Sequence, residues 1–248
     1  MVSCLISSLQ HSAVKRFVTL RNDRSFRKQE GSCLIFGRTM VEEIAKKRNI
    51  KTLLCLKPIP IEAENTMLFS PAALQKIIGY KTEDLVAAEV KIPPPAADIT
   101  HLNLIALLDG LSDPGNVGTI FRTAAALGWD AIFVVQGSTD PYNDKAVRAS
   151  RGAPLFIPWQ EGSWDDVKQM LQKVKRQVVI ADIRGQPLAS MPFSSPLLLV
   201  LGHETKVPSQ PALSLGEAVT IPMQRYMESL NVAAAASILL YTIREKAL

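Results

Sequence analysis

Cysteine is scarce: Cys4, Cys33 and Cys55 are irregularly spaced in 248 residues and form no C-x-x-C. Any disulfide would leave one thiol over, so a framework of bridges is excluded and a reducing intracellular compartment fits best, the cytoplasm ahead of an organelle. Histidine is equally sparse. His11, His101 and His203 lie far apart, with no H-x-x-x-H and no His/Cys cluster, so neighbours in sequence assemble no metal-ligand set and no metal is expected. The longest uncharged apolar run, "SLNVAAAASILLYTI", is shorter than the roughly 20 residues a bilayer span needs, and no membrane anchor is expected. The opening "MVSCLISSLQHSAVKRF" lacks the basic n-region and cleavage site of a secretory signal and makes only a weak organelle signal. Neither G-x-G-x-x-G nor G-x-x-x-x-G-K-[ST] occurs, which removes the glycine support for a nicotinamide-dependent oxidoreductase or a Walker phosphate loop.

What is present is a globular composition, 47% hydrophobic, with a formal net charge of +5. That charge suits a polyanion such as RNA and equally a bland basic surface. The clearest break is "KIPPPAAD", where consecutive prolines forbid helix and stiffen the backbone into a spacer. Residues 1–92 and 99–248 are therefore expected to be separate domains joined by a linker at 93–98. Upstream, "CLIFGRTMVEEIAKKRNIKTLLCL" reads as strand, helix, strand, with Met40, Val41, Ile44 and Ala45 on one helix side, and predicts a small α/β sandwich. The basic residues Lys15, Arg16, Arg21, Arg24, Arg27 and Lys28 crowd one stretch, either a solvated helix face or a surface that tracks phosphates. Downstream, "LNLIALLD", "DAIFVV", "PLFIP", "QVVIAD" and "PLLLVLG" alternate with helical segments near 117–127, 144–150 and 164–174. Apolar strands spaced by helices predict a mostly parallel sheet covered on both faces, with chemistry in the loops after Leu108, Val135, Leu201 and Ile221.

In "LLDGLSDPGNVGTIFRTAAALG" the strand ends at Asp109, Pro114 and Gly115 turn the chain, and Asn116 is placed to cap the next helix. Arg122 stands on a strip formed by Gly118, Ala125 and Ala126. A cation in the early turns of a helix meets an unfavourable dipole. Arg122 is read either as a surface arginine paired with a carboxylate or as a guanidinium kept in a concave site to hold phosphate or stabilise developing negative charge.

"DPGNVGTIFRTAAALG", "LVLGHE" after a strand and "IPMQRYMESLNVAAAA" resemble, in order and spacing, the three motifs of the SpoU class of RNA ribose 2′-O-methyltransferases in the SPOUT superfamily. "VRASRGAPLFIP" resembles the family segment between motifs one and two. "HSAVKRFVTL", "CLIFGRTMVEEI" and "TEDLVAAEVKIP" are similar to the family's small RNA-substrate-binding domain, related to ribosomal protein L30e. The resemblance implies S-adenosylmethionine as methyl donor, a deep C-terminal trefoil knot, a homodimer whose site borrows from both subunits, and ribosomal or transfer RNA as substrate. By position it places polar site residues at Asn116, Arg122, Glu204, Ser229 and Asn231. It places cofactor contacts, chiefly through main chain, at Gly202, Ile221 and Leu230 with Met223 nearby, and puts Lys15, Arg16, Arg24 and Arg27 in the RNA-binding domain.

A ribose 2′-hydroxyl is a poor nucleophile and must be aligned and relieved of its proton. Guanidinium does not deprotonate in proteins, so gripping phosphate and stabilising oxyanion charge is the role that suits Arg122. Glu204 would orient Arg122 or a partner in the neighbouring loop, and Asn116 and Asn231 would supply fixed amide dipoles. Ala233 to Ala236 would let the last helix pack closely. "GHETKVPSQ" departs from the family, which has glycine where Thr205 and Val207 stand. β-Branched residues resist the positive φ that those glycines allow. The alternative is thus an RNA-binding relative with weak or no catalysis.

Overall fold

In the computed structural model, which describes residues 5–96, 98–202, 209–224 and 226–247, the chain forms two units. One comprises Met1–Pro94 with Tyr142–Leu155, the other Pro95–Pro141 with Phe156–Leu248. The first contains α1 (Ser12–Asn22), α2 (Arg24–Glu30), β1 (Ser32–Phe36), α3 (Arg38–Ala45), β2 (Ile50–Cys55), β3 (Asn65–Leu68), α4 (Pro71–Ile78) and β4 (Val86–Lys91). β5 (Leu104–Leu108), α5 (Pro114–Ala126) and β6 (Ala131–Val135) begin the second. The chain returns to the first unit for α6 (Asp144–Ser150) and a 3-10 turn (Ala153–Leu155). It then completes the second with β7 (Trp159–Gly162), α7 (Trp164–Lys173), β8 (Gln177–Pro187), β9 (Leu197–Leu201), α8 (Gln210–Leu213), β10 (Glu217–Thr220) and α9 (Val232–Ala247).

The first unit is built on a four-stranded sheet, β1-β4-β2-β3, in which only β2 and β3 run parallel. "SPAALQKIIG" carries its own punctuation: the Ser70 side chain accepts from the Ala73 N–H, Pro71 opens α4, and Gly79 ends it in the left-handed region. Val14, Phe17 and Leu20 of α1 recur at helical spacing and pack with Leu74, Ile77 and Ile78 of α4 against Leu34, Phe36 and Leu54 of the sheet. The sequence assigns 142–155 to the C-terminal domain, whereas the structure groups it with the first unit. There Arg148 lies 4.2 Å over the Tyr80 ring, Arg151 pairs with Glu43 at 2.7 Å, and Arg48 donates to the Leu155 carbonyl at 2.9 Å.

The second unit holds a six-stranded sheet in the order β10-β8-β9-β5-β6-β7, every neighbouring pair parallel. β5, β6 and β9 are buried throughout, which is why they read as unbroken apolar runs. "PLFIP" is not the strand its composition suggests. Pro154 and Pro158 remove ladder donors, and the segment begins in the 3-10 turn, where the Tyr142 hydroxyl donates to the Pro154 carbonyl at 2.9 Å. The third strand of this unit forms instead at Trp159–Gly162. From β5 the chain proceeds outward through β6 and β7, then crosses to the other side of β5 for the remaining strands. The switch point between β5 and β9 is where an open parallel sheet leaves a crevice at its carboxyl edge.

Candidate active site

The loop after β5 is fixed from both ends. Asp109 is buried and accepts from the Trp164 indole N–H at 3.2 Å, and the Gly110 N–H donates to Ser138 Oγ at 3.0 Å. Thr139 ties the loop further, its N–H to the Leu111 carbonyl at 2.8 Å and its hydroxyl to the Ser112 carbonyl at 2.6 Å. The cap of α5 is Asp113, whose Oδ1 accepts from the Asn116 N–H at 2.8 Å, and Pro114 opens the helix. This corrects the sequence reading, which gave the cap to Asn116. A Cβ on Gly115 would lie 2.9 Å from that capping oxygen, so "DPGN" combines a cap, a pre-set φ and the room that both need.

With Asp113 as cap, the Asn116 side chain serves another bond. Asn231 Nδ2 donates to Asn116 Oδ1 at 3.1 Å, across 115 positions of sequence. The same Asn231 caps α9 with its oxygen, accepting from the N–H groups of Ala233 at 2.9 Å and Ala234 at 3.3 Å. One amide therefore sets the start of α9 and joins the first motif to the third. Further along, the Thr123 and Ser237 hydroxyls lie 3.4 Å apart, and the Trp129 indole donates to the Leu240 carbonyl at 3.1 Å. Ala233 and Ala236 are buried while Ala234 is exposed, so two of the four alanines allow the close approach.

Arg122 lies on the exposed side of α5, and its side chain hydrogen bonds to no described residue. It is the ninth residue of a 13-residue helix, beyond the early turns where the dipole argument would apply. Ser229 and Leu230 are exposed immediately before the Asn231 cap. Gly202 follows the end of β9, next to β5 in register (Leu108 opposite Leu201), and Ile221 and Met223, both half-buried, follow β10. Among the described residues, no backbone–backbone hydrogen bond engages Gly202, Ile221 or Leu230. Glu204, Thr205 and Val207 lie outside the described residues. The structure thus joins Asn116 to Asn231 directly and brings Gly202 to the same sheet edge as the first motif. Among the described residues no hydrogen bond links Arg122 or Ser229 to the asparagine pair.

The basic cluster of the first unit is largely occupied by the fold. Arg27 is 3% exposed and donates to the carbonyls of Leu20 at 3.0 Å and Arg21 at 2.7 Å, closing the end of α1. Arg21 does the same for α4 through the carbonyls of Lys76 at 3.0 Å and Ile77 at 2.7 Å. Arg16 grips Glu89, Nη2 to Oε1 at 2.8 Å and Nη1 to Oε2 at 3.1 Å, and also pairs with Glu30. Glu89 is 1% exposed and accepts in addition from Ser32 at 2.7 Å and Lys51 at 2.9 Å. Burial pushes its carboxyl up, but the hydrogen bonds from Arg16, Lys51 and Ser32 outweigh it and hold it at about 2. Arg24 is half-buried, and Lys15 remains exposed. Arg16 and Arg27 are thus engaged by the fold; their partners sit 14 to 73 and 6 to 7 positions away, and no local pattern marks them.

Comparison with known proteins identifies the family of the fold. The profile of the SpoU rRNA Methylase family matches residues 103–241. An uncharacterized tRNA/rRNA methyltransferase of Synechocystis is 31% identical, covering 97% of this chain and 93% of the relative. The 23S rRNA (guanosine(2553)-2′-O)-methyltransferase RlmP of Bacillus subtilis is 28% identical over 96% of this chain and 98% of its own. The crystal structure of an AdoMet-bound rRNA methyltransferase from Sinorhizobium meliloti superposes with a TM-score of 0.84 at 25% identity, covering 99% of each chain. The matching profile and the superposition place this domain in the class of SpoU-type methyltransferases. The chain belongs to the SpoU rRNA methylase family.

Proposed function

We propose that this S-adenosylmethionine-dependent RNA methyltransferase acts on a ribose 2′-hydroxyl of ribosomal or transfer RNA. The observation that carries the reading is the Asn231–Asn116 hydrogen bond, which sets the third motif against the start of α5, the helix that also carries the exposed Arg122. The Bacillus subtilis relative, a 2′-O-methyltransferase by name, supports the choice of acceptor.

S-Adenosylmethionine supplies an electrophilic methyl group. Gly202, Ile221 and Leu230 would hold it through main chain, with Met223 adding apolar surface. Arg122 grips the substrate phosphate and stabilises negative charge on the 2′-oxygen as its proton leaves to solvent, itself remaining a cation. Asn116 and Asn231, fixed by one another and by the α9 cap, present oriented amide dipoles, and Ser229 is carried beside them at the helix start. By the resemblance, Glu204 would complete the set by orienting Arg122 or a partner in the neighbouring loop.

Three further parts of the reading rest on the resemblance: an L30e-like RNA-binding role for the N-terminal domain, a trefoil knot in the loops after β9 and β10, and a homodimer. The exposed positions Ala234, Ile238 and Tyr241 recur at helical spacing along α9 and support the last. Calorimetric titration with S-adenosylhomocysteine tests the cofactor, and Arg122→Ala tests the site. Binding by both proteins, with methyl transfer lost by about 100-fold or more in the variant, is expected. RNA binding without S-adenosylhomocysteine binding by the wild type would identify a non-catalytic relative with an altered second motif.

A further inference from the structure

β8 does not run straight through the sheet. Ala218 of β10 pairs with Ile180, but the next residue, Val219, pairs with Gln186, so residues 181–185 bulge out between two neighbouring rungs. Ile180 is level with Val200 of β9, which puts the bulge beside Gly202 on one flank and before Ile221 on the other. The fold secures it there: a Cβ on Gly185 would come within 2.4 Å of the Ala218 and Val219 backbone, so only glycine fits. The bulge carries an arginine locked by a carboxylate. Asp182, whose side chain is 4% exposed, accepts from the Arg184 N–H at 2.9 Å, from Nε at 3.1 Å and, through Oδ2, from Nη2 at 2.7 Å. This grip takes one edge of the guanidinium and leaves Nη1 and the outer hydrogen of Nη2 facing away, on a side chain 60% exposed. Beside it Ile183, an apolar side chain, is 64% exposed.

A bulge seated by a close-packed glycine, a salt-locked arginine with a spare donor edge and an exposed apolar neighbour are costly features for a mere connection. We propose that Arg184 is an RNA-binding residue that takes a backbone phosphate flanking the target nucleotide, with Asp182 as its positioning residue and Ile183 against the adjoining ribose or base. Guanidinium meets phosphate oxygens with two parallel N–H donors, and prior immobilisation by Asp182 lowers the entropy lost on binding. The inference rests on the proposed RNA methyl transfer and adds the contact that positions the substrate opposite the first motif.

The test compares wild type, Arg184→Ala, Arg184→Lys and Asp182→Asn, each checked for an unchanged thermal melt, using fragmented ribosomal RNA and, separately, S-adenosylhomocysteine. Arg184→Ala should weaken RNA binding and raise the RNA KM about tenfold, with the slope of log K against log salt reduced by about one. S-Adenosylhomocysteine affinity and kcat should stay unchanged. Lysine should restore the salt slope but not the full affinity, and Asp182→Asn should give a smaller loss of the same kind. Weakened S-adenosylhomocysteine binding with RNA binding intact would overturn the proposal and assign Arg184 to the cofactor carboxylate. No change in either would reduce the pair to an ordinary surface ion pair. A wild type that binds RNA but transfers no methyl group would sink the proposed activity, and the RNA arm would still decide Arg184.

Discussion

Asn231 has two functions in one side chain, and substitution can separate them. Its Oδ1 caps α9 and its Nδ2 donates to Asn116. Asn231→Ala removes both and should cost about 1 kcal/mol of stability, the usual loss for an N-cap, which for a chain of this size lowers Tm by about 2–4 °C. Asn231→Asp keeps the capping oxygen, and its charge suits a helix N-terminus, so stability should stay within about 0.5 kcal/mol of wild type. It replaces the donor facing Asn116 Oδ1 with an acceptor, so the Asn116 amide must turn over or lose its bond. Methyl transfer should therefore fall by about tenfold or more in both variants although only the alanine variant is less stable. Thermal unfolding and initial rates of methyl transfer to RNA at matched protein concentration make the comparison. An aspartate variant with wild-type kcat would show that the asparagine bond has no part in catalysis; an alanine variant with unchanged Tm would remove the cap.

Two other predictions concern the buried ion pair and the last helix. Glu89 is held at about 2 against an ordinary 4.5, so its contribution of about 3 kcal/mol is present above pH 4.5 and is lost as pH falls toward 2. Thermal melts of wild type should drop across that window, whereas Glu89→Gln, already destabilised at pH 7, should change less there; parallel profiles for the two proteins would refute the assignment. Tyr241→Glu puts a charge into the exposed stripe of α9 and should convert the proposed dimer to a monomer in light scattering without reducing helix content, an outcome that an unchanged mass would contradict.

The second unit was legible because its strands are buried on both faces and its helices begin and end on recognisable residues. "LNLIALLD" and "PLLLVLG" announce β5 and β9 by composition alone. "PLFIP" misled because apolar content outweighed its two prolines, and the true edge strand, "WQEG", has no apolar run to reveal it. In the first motif, Asp113 and Asn116 are both good caps three residues apart, and the choice depends on Pro114 entering at the first helical position. The partners of the basic cluster were hidden for a different reason: only the fold brings Glu89 and the carbonyl end of α1 to Arg16 and Arg27. Nor does any local pattern announce that residues 142–155 leave one unit for the other, or that the Asn116 and Asn231 amides meet.

The acceptor atom tests the central claim most directly. RNA from cells lacking the protein would be incubated with the purified chain and S-adenosylmethionine labelled in its methyl group, digested to nucleosides and separated by mass. The expected result is label confined to a 2′-O-methylnucleoside and absent with Arg122→Ala. Label on a base, or none despite measurable S-adenosylhomocysteine binding, would contradict ribose methylation by this chain.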